Sequence, residues 1–139
     1  MRKANQKWGA ATIARRRPKI REYVRAKYRE DLNFRIAHSH RCRLNTALRK
    51  QAAVKEETSM KLLGTSVDKA RSFIEAQFQE GMTWDNWGHD GWHLDHIRPC
   101  ASFDLTDPEQ QRQCFHYTNL QPLWAEDNLR KSDHWDEAA

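Results

Sequence analysis

The chain has 139 residues, of which 38% are hydrophobic and 31% are charged, and its formal net charge is +5. This length predicts a single domain, and this composition predicts a modest hydrophobic core. No apolar run is long enough to span a bilayer, and the basic N-terminus lacks the apolar segment of a secretory signal. The three widely spaced cysteines are typical of reduced intracellular thiols rather than of a disulfide framework. We therefore expect an intracellular protein without a membrane anchor.

The charge is divided unevenly along the chain. Residues 1–61 hold 18 Lys and Arg against 5 Asp and Glu, a net of +13, whereas residues 62–139 hold 6 against 14, a net of −8. A basic segment joined to an acidic one predicts that the basic segment binds a polyanion. Nucleic acid is the leading candidate, because phosphates neutralised by Lys and Arg release counterions. A solvated basic tail is the alternative, and the charges alone leave it open. We divide the chain accordingly into a basic helical region, 1–61, and a second region, 62–139.

The basic region is predicted to be helical after a flexible arm. Residues 1–17 contain little that could pack, and Pro18 suits the first turn of a helix that runs to about Arg29. Asp31 is a plausible N-cap for a second helix, which runs to about Gln51 and has arginines between its apolar positions. The side chains of this region expected to contact nucleic acid are Arg15, Arg16, Arg17, Arg35, Arg41 and Arg43.

The next stretch predicts a linker, a helix and an ordered loop. Residues 52–61 are polar and predict the linker. An amphipathic helix over 67–80 follows, capped by Ser66 and ended by Gly81. The two tryptophans of the loop 81–91 are expected to pack in the core, because tryptophan buries a large apolar area.

Short strands and helices alternate in the last third of the chain. A strand over 92–97 ends before Pro99, and a helix over 108–115 follows. A second strand over 120–123 leads directly into a final helix over 124–132. Together with the helices upstream, this order predicts an α+β protein that is mostly helical.

Four polar side chains of this last third could support metal-assisted hydrolysis of a phosphodiester. Asp95 directly precedes His96, and Asn119 and Asn128 follow nine residues apart. Carboxylate and amide oxygens can hold a hard divalent ion, and an imidazole can take a proton from water near neutral pH. Adjacent strand residues point to opposite faces, so the pair must lie where the strand gives way to a loop. On chemistry alone the alternative stays open, in which His96 is structural and the asparagines are turn or cap residues.

The segments DHIRP and YTNLQPLWAEDNLRK resemble the motif of the HNH endonucleases, in the variant whose last histidine is replaced by asparagine. The preceding segment, LLGTSVDKARSFIEAQFQEGMTWDNWG, is similar to that of small bacteriophage-type HNH proteins, homing endonucleases among them. The resemblance covers residues 62–132 and implies a ββα-metal core. At the matching positions it implies that His96 is the general base, that Asp95 and Asn128 are metal ligands, and that Asn119 braces the strand pair and orients His96.

The resemblance also implies a reaction and a partner. The reaction is hydrolysis of DNA, double-stranded by preference, with one Mg²⁺ or Mn²⁺, leaving 5′-phosphate and 3′-hydroxyl ends. Lys131 matches a basic position that contacts phosphate, and Arg98, two residues after the base, is a second candidate for steering the phosphate. A monomer holds one site, so cutting both strands requires a dimer or two successive binding events. A phage-encoded protein of this kind would act in the cytoplasm of its bacterial host.

The chain departs from many HNH proteins in its cysteines. Those proteins carry cysteines where Trp124 and Asp127 stand here, and these bind a structural zinc together with an upstream CxxC, which is also missing. We therefore expect no structural zinc. Cys100 and Cys114 could approach each other in space, but we expect no metal between them.

Two rival functions remain on the sequence alone. The first is a non-catalytic DNA-binding or packaging accessory protein that keeps the fold, and it predicts binding without metal-dependent nicking. The second is a nuclease for RNA or structured nucleic acid, which a panel of substrates separates from a DNA endonuclease.

Overall fold

The computed structural model describes residues 10–135, with side chains from Arg17 onward. The chain divides into two compact units, one up to Arg35 and one from Ile36 onward. The division lies upstream of the change in charge at residue 61, so the second unit takes in most of the second predicted helix and the polar segment after it. Among the helices in residues 10–135, none is both long and apolar enough to cross a bilayer.

The first helix, α1, is Ala10–Glu30 and begins earlier than predicted. The flexible arm is therefore wrong for residues 10–17, while residues 1–9 lie outside the described part of the chain. Pro18 lies inside the helix rather than at its start, although a proline there removes one backbone hydrogen bond. The residues before it are mainly alanine and arginine, whose high helix propensity favours continuation of the helix upstream.

The second helix, α2, is Leu32–Lys50, within one residue of the prediction. Asp31 caps it as expected, since its Oδ1 accepts a hydrogen bond from the backbone N–H of Phe34 at 3.1 Å. In the second unit α2 buries His40, whose Nε2 donates to the backbone oxygen of Ser59 at 3.3 Å. Burial lowers the pKa of His40 to about 4. This histidine is therefore neutral at neutral pH and belongs to the core.

Two short helices follow, and both differ from the prediction. Helix α3 is Ser59–Leu63, so residues 59–61 are not linker, and Thr58 caps it by accepting from the N–H of Lys61. Helix α4 is Val67–Glu75, capped by Ser66 as expected, and it ends well before Gly81.

An aromatic cluster explains the early end of α4. Leaving the helix brings the ring of Phe78 to 5.1 Å from Trp84 and 5.2 Å from Trp92, measured between centroids. Trp87 stacks on Trp92 at 5.4 Å, and Trp92 is fully buried. The expectation that the loop tryptophans pack in the core is confirmed for Trp87, whereas Trp84 is half-buried and packs against Trp87 and Trp92. The mutual packing of four large rings, two of them buried, outweighs the few helical hydrogen bonds that are lost.

A second apolar cluster joins α2 and α3 to the helix α5, Pro108–Phe115, which matches the prediction. Leu44, Leu62 and Phe115 are its large buried members, and Cys114 lies among them. The buried Gln111 of α5 is satisfied, since its amide donates to the backbone oxygens of Val54 and Leu105.

The sheet consists of two antiparallel strands, β1 (Trp92–His96) and β2 (Leu120–Trp124). Their register is regular, with Trp92 opposite Trp124, Asp95 opposite Gln121 and His96 opposite Leu120. The helix α6, Ala125–Lys131, starts directly after β2 and contacts both strands. The α+β, mostly helical fold class is confirmed.

Candidate active site

Asp95 lies on the face of the sheet that α6 covers. The residue is 7% exposed, and its Oδ2 accepts hydrogen bonds from Gln121 Nε2 and from the ammonium of Lys131, both at 3.0 Å. The strand register brings Gln121 opposite Asp95, and α6 brings Lys131 over both. Lys131 also donates to the backbone oxygen of His96 at 2.9 Å. A nearly buried carboxylate is thus held in one orientation beside a positive charge.

His96 is the last residue of β1, and its imidazole packs edge-on against Phe115. Arg43 Nη2 lies 3.3 Å from His96 Nδ1, and Cys100 Sγ lies 3.6 Å from the same atom. A guanidinium can only donate, so Nδ1 accepts in this arrangement and the ring proton of the neutral form is on Nε2. Nε2 is buried and has no hydrogen-bond partner among the described residues. The lone pair of His96 therefore faces Arg43 and Cys100.

One cavity of about 650 Å³ is bordered by both Asp95 and His96. Its other walls come from α2, through Arg43 and Lys50, and from the turn after Pro99. The two side chains start from opposite faces of β1, but the strand ends at His96, so both reach the same space. The condition stated from the sequence, that the pair must sit at the end of the strand, is met.

Asn119 ties the end of β1 to the start of β2. Its Oδ1 accepts from the backbone N–H of Arg98 at 2.9 Å, and its Nδ2 donates to the backbone oxygens of Arg98 at 3.0 Å and Cys114 at 2.9 Å. The backbone oxygen of Asn119 also accepts from the N–H of Ile97 at 2.8 Å. Its side chain makes no hydrogen bond to His96 within the described residues. Any orienting effect on His96 therefore acts through the backbone.

We expect Asn119→Ala to lower the free energy of unfolding by about 2–4 kcal/mol, because three side-chain hydrogen bonds disappear together. Urea unfolding followed by tryptophan fluorescence measures the change. The matched control is Thr118→Ala, a neighbouring exposed position, which should cost less than about 1 kcal/mol. Equal losses for the two variants would contradict the bracing role of Asn119.

Asn128 of α6 contacts His93, not Asp95. His93 Nε2 lies 3.0 Å from the backbone oxygen of His89, and His93 Nδ1 lies 2.9 Å from Asn128 Nδ2. Since a backbone oxygen only accepts, Nε2 carries the proton of the neutral ring and Nδ1 accepts from the amide of Asn128. The amide oxygen of Asn128 is therefore turned away from His93.

Asp95 and Asn128 carry oxygen donors of the kind that a hard divalent cation takes, although Asn128 is not among the residues that border the cavity. Asp95 supplies a buried carboxylate, and the ammonium of Lys131, 3.0 Å from its Oδ2, competes with a divalent ion for that oxygen. Asn128 supplies an amide oxygen that His93 does not use. Carboxylate and amide oxygens are the ligands that Mg²⁺ and Mn²⁺ prefer.

The basic side chains expected to bind nucleic acid have varied surroundings. Arg41 is exposed and lies against His38, whereas Arg43 points into the cavity. The guanidinium of Arg98 lies 4.0 Å from the ring centroid of Phe103 and donates to Ser102. The remaining candidates lie in the first unit or on α6: Arg17 is exposed, Arg35 lies over the ring of Tyr28, Lys131 is bound to Asp95, and the side chains of Arg15 and Arg16 lie outside the described part.

The sequence reasoning missed part of the surroundings of His96. Cys114 Sγ lies 3.4 Å from Cys100 Sγ, so the two cysteines do approach each other. The hydrogen bond from Cys114 lowers the pKa of Cys100 to about 5, with the charge of Arg43 acting in the same direction, and it raises the pKa of Cys114. Burial lowers the pKa of the Arg43 guanidinium. The spacing of four residues between His96 and Cys100 was a possible signal, but Cys114 and Arg43 come from elements distant in sequence.

Two proteins of Acanthamoeba polyphaga mimivirus are similar to this chain. The uncharacterized protein L426 is 42% identical over 107 residues, which are 77% of this chain and 46% of that protein. The uncharacterized protein L246 is 34% identical over 115 residues, which are 83% of this chain and 49% of that protein. The chain thus spans about half the length of the curated relatives it matches. No family model matches the chain, and no solved structure matches it.

Proposed function

We propose that this protein is a metal-dependent DNA endonuclease of the HNH type, with His96 as general base and with Asp95 and Asn128 as ligands of one Mg²⁺ or Mn²⁺. The observation that carries the proposal is the shared cavity. A buried carboxylate and an imidazole with an inward-facing lone pair border it together, and cationic side chains of α2 form another wall.

Each residue has a distinct task in this proposal. Nδ1 of His96 takes the proton from the attacking water, so the guanidinium of Arg43 must withdraw from that nitrogen when substrate enters. Arg43 then lies beside the phosphate, where its charge offsets the charge of the substrate. Asp95 and Asn128 provide the oxygen ligands, and the bound divalent ion supplies Lewis-acid stabilisation of the charge that develops on the phosphate. Asn119 keeps the end of β1 in place through its three hydrogen bonds.

The DNA approaches along α2 in this proposal. Arg41, Arg49 and Lys50 are exposed on the part of α2 that belongs to the second unit, and Lys50 borders the cavity. The rest of the second unit is acidic, so these cations offset the repulsion that the phosphates would otherwise meet. Binding of this kind weakens steeply with added salt.

The decisive experiment is incubation of supercoiled plasmid DNA with the full chain and Mg²⁺, Mn²⁺, Zn²⁺ or EDTA. The proposal predicts nicked or linear product with Mg²⁺ or Mn²⁺ and intact plasmid with EDTA. The ratio of nicked to linear product tells whether one strand or both are cut. Cleavage that persists in EDTA would contradict the metal requirement.

A non-catalytic DNA-binding or packaging protein is the second candidate function. It is favoured by the contacts of the two key residues, because Lys131 is bound to Asp95 and Arg43 to His96. That candidate predicts a salt-sensitive shift of DNA in a gel, with no cleavage under any metal. A parallel panel of single-stranded DNA, RNA and branched DNA tests for the alternative nuclease substrates.

His93 gives a test of the metal ligands that does not rely on changing them. We expect His93→Ala to raise the Mg²⁺ concentration for half-maximal cleavage by about tenfold, as is usual when the partner of a ligand is lost, because the amide of Asn128 is no longer oriented. His89→Ala is the matched control, since the backbone oxygen of His89 remains. An unchanged Mg²⁺ midpoint in a folded His93→Ala protein would show that His93 does not orient a ligand.

The setting of this activity is also a proposal. We propose that the protein acts inside a cell, where Mg²⁺ is plentiful and its thiols stay reduced. The phage-type setting stays a prediction. Both similar proteins belong to Acanthamoeba polyphaga mimivirus. A monomer suffices for nicking, and a dimer is expected if both strands are cut.

A further inference from the structure

Three side chains lie close together beside the cavity, and the proposed reaction uses only one of them, His96. His96, Cys100 and Cys114 each offer one metal-ligating atom, and these atoms all lie within 4.8 Å of one another. His96 and Cys114 are buried, and Cys100 is half-buried. We infer that these three residues form a binding site for one thiophilic divalent cation of the Zn²⁺ class.

The spacing of the donor atoms agrees with tetrahedral coordination. With Zn–S near 2.3 Å and Zn–N near 2.0 Å, ligand atoms of a tetrahedral site lie roughly 3.5–3.8 Å apart. The distance from Cys100 Sγ to His96 Nδ1 is 3.6 Å, and that from Cys114 Sγ to Cys100 Sγ is 3.4 Å. The third pair, Cys114 Sγ and the His96 nitrogen, lies within 4.8 Å, so binding requires these two atoms to move towards each other to reach the tetrahedral spacing. Two thiolates and a neutral imidazole also balance the double charge of the ion.

The three residues are held by the fold before any ion binds. Cys114 lies in the apolar cluster between α2 and α5, and Asn119 holds its backbone oxygen. The backbone oxygen of Cys100 accepts from Gln51 Nε2 at 3.1 Å. His96 is fixed at the end of β1. Preorganised ligands lose little conformational entropy on binding, which favours high affinity.

The cavity and Arg43 determine how the ion enters. Because His96 and Cys100 both border the cavity, the fourth coordination position faces it and is available to water. Arg43 lies 3.3 Å from the ligating nitrogen of His96 and repels a cation there. Removing this guanidinium should therefore tighten metal binding. The inference departs from the expectation of no structural zinc, which rested on the missing CxxC and not on these residues.

Co²⁺ is the probe for this site, because thiolate ligands give it charge-transfer absorption and four-coordination gives it strong visible bands. The full chain is titrated with Co²⁺ under a non-thiol reductant, which keeps both cysteines reduced. We expect saturation at one Co²⁺ per chain and displacement by Zn²⁺. Cys100→Ser and Cys114→Ala should lose the charge-transfer band, Cys42→Ser should keep it, and Arg43→Met should bind Co²⁺ several-fold more tightly.

A second measurement avoids variants that fail to fold. Alkylation of the native protein is followed by mass spectrometry with and without Zn²⁺. Protection of Cys100 but not of the exposed Cys42 supports the site. Equal labelling of Cys100 in both samples, or an unchanged charge-transfer band in a folded Cys100→Ser protein, would overturn it.

One consequence rests on the proposed function. If His96 is the general base, an ion on its Nδ1 removes the lone pair that takes the proton, so Zn²⁺ should inhibit Mg²⁺-dependent cleavage. The cysteine variants should lose this inhibition, measured as the ratio of rates with and without Zn²⁺. Co²⁺ binding without any cleavage would overturn the endonuclease proposal and leave the metal site standing, whereas cleavage without Co²⁺ binding would do the reverse.

Discussion

Replacing His96 with alanine is expected to abolish metal-dependent cleavage of plasmid DNA while leaving DNA binding largely intact. A general base contributes about 10²–10⁴-fold to the rate of such a reaction, and no other histidine borders the cavity among the described residues. The exposed cations of α2 proposed to bind DNA, Arg41, Arg49 and Lys50, are not among the residues that contact His96. Initial rates of nicking and gel-shift titrations at fixed salt measure the two effects.

The control for His96→Ala is His89→Ala, which removes a histidine whose side chain is almost fully exposed. It should cleave as fast as the unchanged protein. Because His96 packs against Phe115, circular dichroism and thermal unfolding must show that the His96 variant is folded. Cleavage by a folded His96→Ala protein at the unchanged rate would rule out His96 as the base.

Replacing Asp95 with asparagine is expected to raise the Mg²⁺ concentration needed for cleavage by more than about 100-fold. Losing a residue that only supports a ligand typically lowers metal affinity by roughly 10–100-fold, and losing the ligand itself should cost more. The variant keeps the shape of the side chain but loses the charge that attracts the ion. Asn128→Ala should act in the same direction with a smaller effect, because the lost ligand is neutral. Titrations of cleavage rate against Mg²⁺ and Mn²⁺ give the midpoints.

Lys131→Met supplies the opposite change at the same carboxylate. Its ammonium lies 3.0 Å from Asp95 Oδ2 and competes with any divalent ion for that oxygen. We expect the Mg²⁺ midpoint to fall, whereas the affinity for DNA falls if Lys131 also contacts phosphate. If Asp95→Asn and Lys131→Met leave the Mg²⁺ midpoint unchanged, Asp95 is not a ligand. A loss of stability alone would alter the unfolding midpoint but not this titration.

The last third of the chain was predicted closely because local signals agree there. Pro108 after Asp107 starts α5, and the strand that begins at Leu120 runs directly into α6. Such short-range signals need no knowledge of distant residues. The predicted end of α4 failed because Phe78 leaves the helix to join Trp84 and Trp92, and these contacts lie outside the segment itself.

The candidate site likewise has features that follow from local sequence and features that depend on distant contacts. The sequence by itself determined how the side chains proposed as catalytic are spaced, since Asp95 and His96 adjoin, Asn119 directly precedes β2, and α6 follows without a loop. The spacing of Asn128 and Lys131 on α6 is likewise a local property.

Only the tertiary structure decided what these groups face. Packing of α2 against the end of β1 brings Arg43 to His96, packing of α5 brings Cys114 to Cys100, and α6 lays Lys131 on Asp95. These contacts join residues far apart in sequence, and they form because distant apolar faces are buried together. Local residue patterns cannot specify which polar groups that burial brings into contact.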